Sequence, residues 1–111
     1  MKKNASILYC GKEYELIFNI NVMDEIQQEY VTMAAWQSLV DGSESGEPNL
    51  KALKFAFTRM INEALNIAGD SEQMTEREVG RMISAVGLDT VVDAVQTTII
   101  DSTADKTEKN A

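Results

Sequence analysis

The sequence predicts a single α+β domain that is mostly helical, with an N-terminal β-hairpin packed on a bundle of four to five α-helices. Apolar and polar residues alternate over residues 13–20, which is typical of a half-buried strand. From residue 22 onward the apolar residues recur at helical spacing. The chain has 111 residues, of which 44% are hydrophobic. That length and composition suffice for one modest core and not for two.

The hairpin is predicted to contain strand one at residues 6–10 and strand two at residues 13–20, joined by Gly11 and Lys12. A two-residue loop that begins with glycine is typical of a type II′ turn, because glycine accepts the positive φ of the first position. An isolated hairpin is marginal in water, so helices must cover its apolar face. On strand two that face comprises Tyr14, Leu16, Phe18 and Ile20.

A first helix is predicted over residues 22–40, with Asn21 as its N-cap. Its apolar residues form two stripes that are offset around the helix axis, and the β-branched pair Val31 and Thr32 lies between them. We therefore expect either a break near this pair, or a Trp36 side chain that reaches a different neighbour from the first half of the helix. Residues 41–48 follow as a polar loop that holds the chain's one proline.

The second half of the chain is predicted to be helical. A long central helix runs from residue 48 or 49 to residue 68 and ends at Gly69. Thr75 and Glu78 have the spacing of a capping box, so another helix begins there and stops at Gly87. Asp89 is the predicted cap of a last helix. The folded domain is predicted to end at residue 102, because residues 103–111 hold no apolar side chain larger than alanine and we expect them to be disordered.

The charge and residue usage exclude several classes of function. The net charge is −8, and a field of that sign repels phosphate backbones and anionic membrane surfaces. No apolar run approaches the roughly 18 residues of a membrane helix. We therefore expect neither a nucleic-acid nor a membrane partner. The single cysteine favours a reducing compartment, so the predicted location is the cytoplasm.

No residue set with catalytic, metal-binding or cofactor-binding chemistry is found, and we predict that the protein is not an enzyme. Histidine, the commonest general base and metal ligand, is absent. Cys10 consequently lacks the base that a catalytic thiol needs. The carboxylates of the loop, Asp41, Glu44 and Glu47, recur at every third residue, which does not fit a calcium loop with ligands at alternate positions.

Trp36 and Phe55 are the two residues we single out as candidate partner contacts. Trp36 lies on the offset stripe of the first helix, where core packing is the alternative. Phe55 projects from the polar side of the central helix, where a contact with another element of the same chain is the alternative. Aromatic residues are enriched in protein interfaces, which is the reason for this hypothesis.

The opening segment Gly-Lys-Glu-Tyr-Glu-Leu-Ile-Phe-Asn-Ile (residues 11–20), followed at once by Val-Met-Asp-Glu-Ile-Gln-Gln-Glu-Tyr (residues 22–30), resembles the tail assembly chaperones of long-tailed phages and prophages of Gram-positive bacteria. The capped helix at residues 74–80, the Gly-Leu-Asp junction at residues 87–89 and the last helix at residues 88–95 are similar to that family too. The resemblance covers residues 6–102. The loop at residues 41–48 is longer than the family's usual connection.

The resemblance implies a non-enzymatic protein that binds the tape measure protein, keeps it soluble and brings tail-tube protein to it in the cytoplasm of the bacterial host. Such proteins are absent from the finished virion, and the family has no catalytic residues to transfer. The alternative is a structural tail component, a connector or tail-completion protein, that stays in the virion. Whether the protein forms a homo-oligomer is left open.

Overall fold

The computed structural model describes residues 5–43 and 45–109, with side chains as far as Ser102. Within these ranges an antiparallel hairpin is followed by five helices, which confirms the predicted α+β, mostly helical fold. The strands are β1 (Ser6–Tyr9) and β2 (Lys12–Glu15). The helices are α1 (Ile20–Tyr30), α2 (Met33–Val40), α3 (Leu50–Ile67), α4 (Glu76–Val86) and α5 (Leu88–Lys109).

The hairpin turn is formed by Cys10 and Gly11, and not by Gly11 and Lys12 as predicted. Tyr9 pairs with Lys12, and the φ angles of Cys10 and Gly11 are 52° and 80°. Two positive φ angles define a type I′ turn, whose twist matches that of the flanking strands. The prediction took the glycine as the first residue of the loop, whereas it is the second.

The second strand is shorter than predicted, because the ladder ends at Glu15 and the chain then turns into α1. Tyr14, Leu16 and Phe18 are buried, as expected for the apolar face. Ile20 was wrongly assigned to that face: it begins α1, and 66% of its surface is exposed. Asn19, and not Asn21, is the N-cap, since its side chain accepts a hydrogen bond from the backbone N–H of Val22 at 3.1 Å.

The predicted break between the two apolar stripes is confirmed, and it is centred on Val31. Val31 has φ 76° and ψ −53°, and the N–H of Thr32 donates to the carbonyl of Tyr30 at 2.9 Å. This geometry is a γ-turn with positive φ, a rare and strained form. Thr32 then caps α2 by accepting from the N–H of Ala35 at 3.0 Å.

The end of α3 and the cap of α4 follow the predictions, whereas α3 begins at Leu50, one or two residues later than predicted. Asn49 caps the start of α3, and Gly69 follows its end with φ 80°. The N–H of Asp70 donates to the carbonyl of Leu65, and that of Gly69 to Asn66, which is the hydrogen-bond pattern of a Schellman motif. Thr75 accepts from the N–H of Glu78 at 3.1 Å.

The last helix begins one residue earlier than the predicted cap. The chain turns at Gly87, where φ is 104°, and α5 starts at Leu88. Asp89 therefore lies within the first turn of α5 and is not its cap. The backbone of α5 continues as a helix to Lys109, through most of the segment predicted to be disordered, and residues 110–111 lie outside the described residues.

The core lies around α3, which contacts β2, α1, α2 and α4. The other side of the hairpin is covered through contacts of β1 with α4 and α5. Most of the apolar residues that recur at helical spacing along the central helix are buried, but the first and last of them, Leu50 and Ala68, are exposed. The largest fully buried side chains, which come from the segment after β2 and from all five helices, are Trp36, Phe57, Leu16, Ile26, Leu53, Met60, Ile61, Met82, Val22, Val40, Val79 and Val91.

Candidate partner-binding surfaces

Trp36 lies in the core, with none of its side chain exposed. Its indole N–H donates to the backbone carbonyl of Ala52 on α3 at 3.0 Å, so the one polar atom of the ring is satisfied inside the protein. The turn at Val31 reorients α2 relative to α1 and thereby directs the offset stripe toward α3. In this conformation Trp36 offers no surface to a partner.

Phe55 is half-buried and packs against two neighbours. Its ring meets that of Tyr30 edge to face, with centroids 5.7 Å apart and an interplanar angle of 76°. The guanidinium of Arg59 lies over the Phe55 ring, 4.7 Å from its centroid. Contacts with another element and with the next turn of α3 therefore account for much of the Phe55 surface, and its remaining exposed part is available to a partner.

The Tyr30 hydroxyl and the Arg59 Nε are buried and have no hydrogen-bond partner within the described part of the chain. Burial raises the pKa of the Tyr30 hydroxyl above its ordinary value of 10.0, and the carboxylates of Glu29 and Glu76 raise that pKa further. Each of these causes disfavours the charged phenolate. The Tyr30–Phe55 contact is thus a packing contact between α1 and α3 that carries an unsatisfied hydroxyl.

Among the side chains that the structure describes, six large apolar ones are exposed, and they are distributed over several elements. They are Leu8, Ile20, Val31, Leu50, Ile67 and Ile100. Ile20 lies between Asn19 and Asn21, whose side-chain amides donate to the Glu63 carboxylate at 2.7 Å and 3.2 Å. Singly exposed apolar residues are ordinary on a protein surface, so this spread identifies no binding patch by itself.

A cleft of about 310 Å³ opens between β2 and the second half of α3, and we call it the β2–α3 cleft. Tyr14, Ile61, Ala64, Leu65 and Ala68 form its apolar lining, and Lys12, Glu13, Glu15 and Asp70 complete it. Four of these nine residues carry a charge, three of them negative. The sequence indicated that Glu13 and Glu15 share the polar face of a strand, but not that this strand lies beside α3.

Lys12 forms ion pairs with acidic residues beyond the end of α3. Its ammonium group lies 3.4 Å from the Asp70 carboxylate and 2.7 Å from that of Glu72. The hydrogen bond to Glu72 is the main cause that raises the Lys12 pKa above its ordinary value of 10.5. The N–H of Glu72, followed by Lys12, lowers the pKa of the Asp70 carboxyl below 3.8. The one cation of the cleft is therefore already paired.

The edge of β2 that faces away from β1 leads towards α3. The N–H of Leu16 donates to the carbonyl of Ala5 at 2.9 Å, so these two residues form a hydrogen-bonded pair that continues the ladder. Hydrogen-bonded and non-hydrogen-bonded pairs alternate along an antiparallel ladder. Glu13 and Glu15 therefore belong to non-hydrogen-bonded pairs, and their backbone N–H and carbonyl groups point away from β1. The N–H of Ile17, two residues further, points the same way and donates to the carbonyl of Met60 at 3.3 Å.

Asn62 is a structural residue that the sequence did not single out. Its side-chain oxygen accepts from the N–H of Met74 at 2.7 Å, and its amide donates to the Met74 carbonyl at 3.0 Å. This pair of bonds holds the loop before α4 against α3. An asparagine on the polar side of a helix carries no sequence signal for such a contact, since the partner is twelve residues away.

The described part of the chain shows no group of three or more Cys, Asp or Glu side chains placed to hold a metal ion. Cys10, in the hairpin turn, is exposed and free. Within the same ranges no single helix is long and apolar enough to cross a membrane, although α4 and α5 up to Ser102 meet that test as a pair bent by 112°.

Comparison with known proteins adds no relative: the chain matches no protein-family model, no curated protein and no solved structure.

Proposed function

We propose that this chain is a tail assembly chaperone of a long-tailed phage or prophage of a Gram-positive bacterium. It binds the tape measure protein and assists assembly of the tail tube in the bacterial cytoplasm, without catalysing a reaction. The observation that carries the proposal is the order of elements: an N-terminal hairpin, a helix that follows at once, a long central helix, and a capped helix joined to a last helix by Gly-Leu-Asp. The resemblance to the family rests on this same order.

The surface supports a role in keeping another protein soluble. The chain has 18 acidic and 10 basic residues, so it confers negative charge on any complex that it joins. Exposed apolar side chains and the β2–α3 cleft offer contact area to an apolar client. A long helical client with apolar stripes needs both properties, since its own surface otherwise self-associates.

Co-expression with the tape measure protein encoded in the same gene cluster tests the proposal. We expect the tape measure protein to move from the insoluble to the soluble fraction when this chain is present. We also expect this chain to co-purify with the tagged tape measure protein. An unrelated acidic helical protein of similar size serves as the control for charge alone. Equal insolubility with and without the chain would refute the proposal.

Mass spectrometry of purified virions separates the chaperone from a structural tail component. A chaperone is depleted from finished particles relative to the tail-tube protein. Recovery of this chain in amounts comparable to other tail proteins would favour the connector or tail-completion alternative.

A further inference from the structure

We infer that the β2–α3 cleft is the client-docking site, and that its occupant is a segment of the tape measure protein in which an apolar side chain lies next to a lysine or arginine. The inference rests on the proposed function and adds to it the place of binding and the chemistry of the bound segment.

The apolar lining selects the side chain that enters the cleft. Residues of α3 and the ring of Tyr14 provide this lining, and Ala64 and Ala68 leave room above it because their side chains are small. A volume of about 310 Å³ is at the lower end of the range for small-molecule pockets, so the cleft holds one or two side chains and not a folded element. An aliphatic or aromatic side chain fits this space.

The rim selects a basic neighbour for that side chain. Glu13, Glu15 and Asp70 contribute three carboxylates, while Lys12, the one cation, is already paired with Asp70 and Glu72. Glu13 accepts a hydrogen bond from Ser6 at 2.8 Å, whereas Glu15 has no side-chain partner among the described residues. Glu15 is therefore the carboxylate best placed to meet a lysine or arginine of the client.

The backbone of β2 adds hydrogen-bonding capacity at the same place. The N–H and carbonyl groups of Glu13 and Glu15 point away from β1, towards the side on which α3 lies. Polar groups of a bound segment, from its main chain or its side chains, can pair with them.

A second explanation of the charged residues on this strand is protection of its edge. Charged side chains on an edge strand discourage pairing with other chains, and lysine serves this purpose as well as glutamate. The two explanations differ in what a reversal of charge does. A lysine at position 15 preserves edge protection but repels a basic client.

Glu15→Lys and Ala68→Trp test the inference by co-expression with the full-length tape measure protein. Glu15→Lys reverses the free carboxylate, and Ala68→Trp fills the cleft from its exposed end. The matched controls are Asp93→Lys on α5, which makes the same change of charge at an exposed site, and Ala85→Trp, which places the same ring on the exposed surface of α4. The two control sites lie outside the cleft lining, and a thermal melt of each of the four variants verifies folding.

We expect each cleft variant to be retained about tenfold less than the wild type on the tagged tape measure protein, and each control to match the wild type. Retention of both cleft variants at the level of their controls would overturn the docking site while leaving the chaperone function intact. If the wild-type chain itself fails to bind the client, the proposed function and the docking site both fall.

Discussion

Trp36 and Phe55 each lie off the main apolar stripe of the helix that the sequence predicts for them. Their environments in the structure nevertheless differ. The γ-turn at Val31 starts a new helix, and in α2 the Trp36 side chain faces the core. Phe55 stays in the continuous helix α3 and is covered only in part, by Tyr30 and Arg59. Helical periodicity places a side chain on a face of its own helix, but the packing of neighbouring helices decides whether that face is buried.

Alanine substitution should separate the two residues. We expect Trp36→Ala to lower the free energy of unfolding by about 3–5 kcal/mol, because it leaves a cavity in the core. We expect Phe55→Ala to lower it by about 1–2 kcal/mol, the combined size of an aromatic pair and a partly exposed cation–π contact. Urea unfolding followed by circular dichroism measures both changes. A loss for Phe55→Ala as large as that for Trp36→Ala would show that Phe55 belongs to the core.

Removal of the unsatisfied Tyr30 hydroxyl should raise the free energy of unfolding, whereas the two alanine substitutions lower it. Tyr30→Phe removes a buried polar atom that has no partner among residues 5–43 and 45–102, and it keeps the edge-to-face ring contact. We expect a gain of about 1 kcal/mol in the free energy of unfolding at pH 7, measured by urea titration. A loss at pH 7 would mean that the hydroxyl has a bound partner, such as an ordered water.

The pH dependence of this gain follows from the raised pKa of Tyr30. A group whose pKa is higher in the folded state contributes stability below its unfolded pKa, near 10.0, and loses that contribution as the pH rises through the folded pKa. The phenylalanine variant lacks this loss. The stability difference between the two proteins should therefore be constant at neutral pH and widen above about pH 10.

At the scale of the elements, the boundaries set by local interactions were predictable. Gly69 ends α3, and Thr75 and Gly87 bound α4, as expected, because a cap is decided by a few residues next to each other. The N-cap of α1 was missed, because Asn19 and Asn21 are both capable caps and the neighbouring sequence does not say which of them takes the role. The β2–α3 cleft was missed because its two sides are far apart in the sequence.

At the break between α1 and α2, a glycine variant should be more stable than an alanine variant, which is the reverse of their order inside a helix. At an exposed helical position such as Arg81, the alanine variant should be more stable than the glycine variant by about 1 kcal/mol. Val31 has a φ of 76°, which glycine adopts freely and alanine does not. We expect Val31→Gly to be more stable than Val31→Ala by about 1 kcal/mol in thermal or urea unfolding. If alanine is the more stable at both positions, α1 and α2 form one continuous helix in solution.

At the scale of the whole molecule, excess negative charge is the dominant electrostatic feature. Among the described residues, the ion pairs are those of Lys12 with Asp70 and Glu72. Close ion pairs are thus confined to one place among those residues, whereas the chain's 18 acidic residues outnumber its 10 basic ones in a molecule of about 38 × 33 × 23 Å. Repulsion within the folded chain opposes its stability, and the same charge supports the solubility that a chaperone must lend to its client.

The balance between this repulsion and attraction predicts how stability responds to salt. At 0.01 M ionic strength the screening length is about 30 Å, comparable to the dimensions of the molecule, so most carboxylates repel one another; at 0.1 M it is about 10 Å, and only near neighbours interact. We expect the melting temperature to rise by several degrees as NaCl increases from about 0.01 to 0.3 M, because screening weakens many repulsions and one ion-pair cluster.

Two variants serve as controls for this salt response. The double variant Asp93→Asn, Glu78→Gln removes two exposed negative charges and should show a smaller rise in melting temperature. Lys12→Gln removes the ion pairs and should show a larger rise. A melting temperature that falls with salt in the wild type would mean that attractive pairs outweigh the repulsion in the folded chain.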